Sequence, residues 1–196
     1  DQQEAAAAAG LLAVILEPPP DALEAGDAAH DGRVRDALVA GHRDSGRGVQ
    51  RVVAPGQAEP QAHLMEHGVE VLLPFLRRLN PNLRVVPIVL GRASFGETSQ
   101  LAEMIAIAVR ERAAKGQEAA LVISSDMNHF ATDEENRRLD AIALQALETK
   151  DPARLFTTVR DQEISMCGLL PAVIVLETLR LLGRLTSTER IGYATS

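Results

Sequence analysis

Leu121-Val-Ile-Ser-Ser-Asp126-Met-Asn-His129-Phe130 decides how the rest of the chain is read. Ala119 to Ile123 is a continuous apolar run, the pattern of a buried strand, and Ser124-Ser-Asp126 falls where that strand would end. Open α/β sheets bind ligands beyond the carboxyl ends of their strands, so an acid, an amide and an imidazole stand where a crevice is expected. Asp126 and His129 are close enough in sequence for one turn to aim both at the same point. The same residues also fit a plain capping turn, with Asp126 on backbone amides and His129 at the surface.

The flanking pattern repeats the strand-helix theme. Arg84-Val-Val-Pro-Ile-Val-Leu-Gly91 is β-rich and closes on glycine. Leu101, Met104, Ile105, Ala108 and Val109 then recur at helical spacing until Lys115-Gly116. Strand, helix, strand within this length predicts a right-handed parallel crossover, hence an α/β domain with a mostly parallel sheet flanked by helices. Upstream, Val69, Leu72, Leu73, Leu76 and Leu79 mark a helix interrupted by Pro74, with Glu66 and His67 at its entrance.

Downstream, Thr132-Asp-Glu-Glu135 has the form of a capping box opening a helix with Leu139, Ile142, Ala143, Ala146 and Leu147 on one face. Asp151-Pro152 predicts a second helix start, with aspartate as cap and proline in the first turn. Ile164 to Leu182 reads as an irregular entry and then a nearly all-apolar helix, which must be buried. Cys167 stands at its mouth, before Gly168 and Pro171, where free amides and the helix dipole favour a thiolate; a buried, inert cysteine is the plainer reading.

The first sixty residues differ in character. Residues 4–9 have helical propensity and Leu11 to Leu16 the look of a strand, closed by Glu17-Pro-Pro-Pro20. From Asp21 to Pro60 the segment is rich in Ala, Gly, Asp and Arg and reads as low-complexity or linker sequence. We therefore divide the chain into a low-complexity or diverged segment, 1–60, and an α/β domain, 61–196. His30 and His42 lie in the first part, and neither they nor His63 carries a functional signal.

Composition bounds the function. The 196 residues are 46% hydrophobic and 24% charged with a formal net charge of −7, as expected for one globular α/β domain and unfavourable to nucleic acid or an anionic membrane as partner. A single cysteine excludes an internal disulfide and fits a reducing, cytoplasmic setting. The run Ala5 to Leu16 is too short for a bilayer, which needs roughly 20 apolar residues, and acids rather than bases precede it. Cysteine, histidine and carboxylate together admit either a metal site or a thiol nucleophile with its base, and no spacing here chooses between them.

Four blocks make a more specific case: Glu66-His-Gly-Val-Glu-Val-Leu-Leu-Pro-Phe-Leu76, Val86-Pro-Ile-Val-Leu-Gly91, Ser124-Ser-Asp-Met-Asn-His129 and Ile164-Ser-Met-Cys-Gly168, with Tyr193-Ala-Thr-Ser196 as a fifth. In order and separation, across about Ala62 to Ser196, they resemble the Memo family, whose bacterial members are component B of the AmmeMemoRadiSam system. The resemblance implies a fold like that of class III extradiol dioxygenases, which are non-haem iron enzymes, and a redox-linked site for iron or copper. It implies Cys167 as a metal ligand, His129 as ligand or acid/base, and Asp126 and His67 as catalytic-site residues orienting it. Gly68 replaces the serine that follows the family's histidine. Two further histidine ligands, in Pro-His-Ala-Gly and Gly-x-x-His blocks, have no counterpart, so the resemblance implies a truncated, diverged or mis-framed member with weak metal affinity or none. The expected ligand is a small molecule or peptide, and other AmmeMemoRadiSam components are expected partners. The competing expectation is a catalytically silent module that binds a peptide or protein in the same cleft; a thiol hydrolase using Cys167 and His129 is a third.

Overall fold

The strand at Ala119 to Ser124 forms as its apolar pattern predicts, and it lies at one edge of a three-stranded sheet. The structure, a computed structural model, describes residues 10–16 and 68–195. Its elements in chain order are β1 (Gly10–Leu16), α1 (Gly68–Leu79), β2 (Arg84–Leu90), α2 (Phe95–Ala113), β3 (Ala119–Ser124), α3 (Asp133–Glu148), α4 (Pro152–Asp161) and α5 (Leu169–Leu181).

The strand order is β2-β1-β3, and β1 pairs antiparallel with both neighbours: Gly10 opposes Leu90 on one side and Leu11 opposes Ser124 on the other. This corrects the expectation of a mostly parallel sheet, since no ladder among the described residues is parallel. The strand-helix-strand reading did capture direction. β2 and β3 point the same way, with α2 connecting them, but β1 is inserted between them. Local sequence fixes the sense of a crossover; adjacency depends on a strand about seventy residues upstream of β2. The sheet therefore draws on both sides of the boundary expected at residue 60, because its central strand is Gly10–Leu16.

Helix ends follow their side chains. Ser94 Oγ accepts the Glu97 amide at 3.3 Å while Glu97 Oε2 accepts the Ser94 amide at 2.8 Å, a reciprocal cap that opens α2. Gly116, at φ +70°, turns the chain just beyond α2. At α3 only half of the predicted box forms: Thr132 Oγ1 accepts the Glu135 amide at 3.3 Å, but the Glu135 carboxylate is taken by Arg138 at 2.7 and 2.9 Å. A guanidinium one turn on offers two charge-assisted bonds where the cap amide offers one. Asp151 Oδ1 receives the amides of Ala153 and Arg154 at 3.0 and 3.1 Å, with Pro152 leading α4.

α5 is the hub of the packing, as an apolar-all-round helix should be. One buried cluster joins Ile88 and Leu90 of β2, Leu101, Ile105 and Val109 of α2, and Ile174 and Val175 of α5, with Leu121 and Ile123 of β3 against it. The other joins Leu139 and Ala143 of α3, Leu155 and Val159 of α4, and Leu169, Val173 and Leu176 of α5. Helix α1 touches β1 and β3, and Val71, Phe75 and Leu79 on it are exposed. No described helix is long and apolar enough to cross a membrane.

Ile174 is fully buried where α5 meets α2 and the sheet. Truncating it leaves a cavity in a helix that both clusters share. Ile174→Ala is expected to lose about 2–5 kcal/mol of stability, read as a lower urea midpoint at unchanged slope.

Candidate functional site

The end of β3 and the start of α5 meet where a backbone amide reaches a side chain. Gly168, which caps α5, donates its amide to Ser125 Oγ at 2.9 Å, and a Cβ on residue 168 would lie 2.2 Å from Ser125 Cβ. Its φ of −88° is ordinary, so glycine stands there for close approach rather than for conformation. Ile164 and Met166 are buried in the second cluster and hold the entry segment down. Between and beyond them, Ser165 and Cys167 face the loop that follows β3.

Cys167 meets that loop through the backbone of Asp126. The Asp126 amide donates to the sulfur at 3.0 Å, and the sulfur lies 3.7 Å from the Asp126 carbonyl and 3.8 Å from Ser125 Oγ. The Asp126 residue is exposed, and its carboxylate accepts no hydrogen bond among the described residues. Its contribution to the sulfur is thus a backbone N–H.

His129 is placed from the same side. Its amide donates to Ser165 Oγ at 2.7 Å, two residues before Cys167. Its ring stands 5.6 Å from that of Phe130, which is fully exposed at a φ of +61°. Nε2 of His129 is buried and has no hydrogen-bond partner among the described residues. His67 lies outside the described residues, as do His30, His42 and His63.

Asn128 ties the loop together. Its amide donates to Asp140 Oδ1 at 2.8 Å, its Oδ1 accepts from the Ser165 amide at 3.0 Å and from Ser165 Oγ at 3.1 Å, and its Nδ2 reaches Asn136 Oδ1 at 2.8 Å. Asp140 is buried, and its second oxygen accepts from the Tyr193 hydroxyl at 2.6 Å. That bond and burial, with the Asp140 charge, hold the Tyr193 phenol above its usual pKa. Arg137, stacked 5.9 Å from the Tyr193 ring, hydrogen-bonds Asp133 and Thr195 as well. Bonds from Arg137 and then Thr195 keep the Asp133 carboxyl below its usual value. Sequence reasoning did not assign Ser125, Ser165, Asp140 or Tyr193 to the site, and noted Asn128 only as the amide between Asp126 and His129. One signal was present: Asp140 shares the helical face of Ala143 and Leu147, and an acid on an apolar face needs a partner.

Cys167 Sγ and His129 Nε2 could serve as soft and borderline metal donors. The described residues contain no group of three or more histidine, cysteine or acidic side chains arranged to hold a metal. By themselves they therefore fall short of the three or four protein ligands usual in such sites.

Fold and site together define an α/β protein in which a strand-end loop bearing histidine converges with a cysteine at the entry to a buried helix. The model of the Memo-like protein family matches residues 26–196, and the chain belongs to that family. The match begins well before Ala62, where the motif blocks start. A MEMO1 family protein of Aeropyrum pernix is 40% identical over 147 residues, which is 74% of this chain and 49% of that protein. Another, of Archaeoglobus fulgidus, is 34% identical over 135 residues, 69% of this chain and 50% of that protein. One of Aquifex aeolicus is 34% identical over 123 residues, 62% and 44% of the two chains. The chain spans about half the length of the curated relatives it matches. No solved structure matches it.

Two outcomes test this geometry. Gly168→Ala has no room for its methyl group and is expected to cost about 1–3 kcal/mol in denaturant unfolding. Tyr193 is the only tyrosine and the chain has no tryptophan, so tyrosinate absorbance reads that phenol alone. Its midpoint is expected above the usual value of about 10 and should return to it in urea. Because the folded value is the raised one, the stability from the Tyr193–Asp140 bond is complete below pH ~10 and is lost as pH rises through the folded midpoint.

Proposed function

We propose that this chain supplies the cysteine and histidine side of a Memo-type metal site, related to those of non-haem iron dioxygenases and redox-linked, with an incomplete ligand set of its own. The observation that carries the reading is the convergence at Cys167: the loop bearing His129 donates an amide to the sulfur at 3.0 Å, while a buried ring nitrogen of that histidine is unpartnered among the described residues. Thiolate and imidazole suit iron, copper or zinc. In this reading Cys167 Sγ and His129 Nε2 are the donors, and the exposed Asp126 carboxylate is left to face a substrate. Iron or copper would supply redox chemistry. With only two donors among the described residues, no reaction step is assigned to the metal. A cytoplasmic setting and association with other AmmeMemoRadiSam components belong to the same proposal.

A second reading, a catalytically silent module for a peptide or protein, is favoured by Phe130. A fully exposed phenylalanine next in sequence to His129 offers such a ligand an apolar contact beside the site. The two readings separate on metal content. Protein reconstituted anaerobically with iron(II), copper(I) or zinc should retain metal weakly, with retention abolished in Cys167→Ala and weakened at least about tenfold in His129→Ala. Retention equal to that of Cys167→Ala for every metal would leave the peptide-binding reading.

A further inference from the structure

We infer that Tyr193 is a positioning residue for the loop that carries His129, acting through the buried carboxylate of Asp140. The inference takes from the proposed function only that this loop is the working part of the site.

Asp140 sits on α3 at 4% exposure, where a carboxylate is tolerated only with its oxygens satisfied. Oδ1 is given to the Asn128 amide at 2.8 Å and Oδ2 to the Tyr193 hydroxyl at 2.6 Å, the short range of a charge-assisted bond. Both partners lie outside α3, so this acid joins two segments that would otherwise pass each other. Asn128 carries the link forward: with its amide fixed by Asp140, its Oδ1 receives Ser165, and Ser165 Oγ receives the His129 amide at 2.7 Å. The closing segment is seated independently, because Arg137 stacks on the Tyr193 ring and donates to Thr195 Oγ1 at 3.1 Å. Removing the phenolic hydroxyl leaves that seating in place and takes one of two donors from a buried charge. The carboxylate must then turn, take up a proton or draw in water, and each of these loosens its hold on Asn128.

The amides of Asn128, His129 and Ser165 are all hydrogen-bonded within this chain of contacts, so hydrogen exchange reads each one. Metal-free Tyr193→Phe is expected to exchange at these three amides about tenfold faster or more, while the α5 amides of Val173 to Leu176 are unchanged. The assigned ring resonances of His129 should move in the same variant. Thr195→Ala, which removes a contact of the closing segment but not the Asp140 bond, should leave amides and ring as in the unsubstituted protein. Unchanged exchange at the three amides in Tyr193→Phe would overturn the inference. So would acceleration spread equally through α5, which marks a merely stabilising tyrosine, or an equal effect of Thr195→Ala. Because no metal is present, a failed metal reconstitution leaves this outcome intact, and a failed exchange result leaves the metal proposal intact.

Discussion

The contact between Ser125 and Gly168 is the constraint on which the rest of the site depends. A strand end and a helix start approach until an amide reaches a side-chain oxygen at 2.9 Å, and the approach leaves no space for a methyl group. Both partners are anchored from behind, β3 by Leu121 and Ile123 against the first cluster and α5 by membership of both. The site is thus set by core packing, which is stiff, and only its outer loop by hydrogen bonds, which are individually modest. Cys167 inherits its position from this seam, being the residue just before the glycine.

Much of this was legible in the chain. Apolar runs located β2, β3 and α5, 3.6-residue spacing located α1 to α3, and Thr132 and Asp151-Pro152 located the starts of α3 and α4, because each depends on neighbours a few residues away. The strand at Leu11 to Leu16 was legible too, but its place between β2 and β3 was not, since register and neighbour are set by pairings as distant as Leu16 with Arg84 and Leu16 with Ala119. The limit was similar at the site. Asp126, His129 and Cys167 stand out by chemical type, whereas Ser165, Asp140 and Tyr193 matter only through contacts with residues far away in sequence. An aspartate on the apolar stripe of α3 was the one local clue. His67 and the low-complexity stretch fall outside the described residues, so the structure adds nothing to their reading.

The half-length match to the relatives bears on the donor count. Cys167 Sγ and His129 Nε2, the two candidate donors on the described residues, cannot by themselves close the shell of three or four protein ligands usual at such a site. Membership of the family therefore does not by itself assign a chemistry to this surface. What the chain does determine is which of its atoms remain available for that chemistry.

That availability follows from how the loop is held. Asp126 engages the sulfur with its backbone amide, His129 is docked by its backbone amide, and the side-chain bonds that fix the loop come from Asn128, Ser165, Ser125 and Asp140. Amides, hydroxyls and the one buried carboxylate of Asp140 thus do the positioning. The Asp126 carboxylate and the His129 ring make no hydrogen bond among the described residues, and Cys167 Sγ accepts from one amide only. If Asp126 and His129 had been fixed through their side chains, their proton- or metal-binding lone pairs would have been consumed in holding the loop. A loop serving only as a connector would have no reason to separate the two tasks. The separation is the physical argument for regarding the end of β3 and the start of α5 as a site rather than a turn.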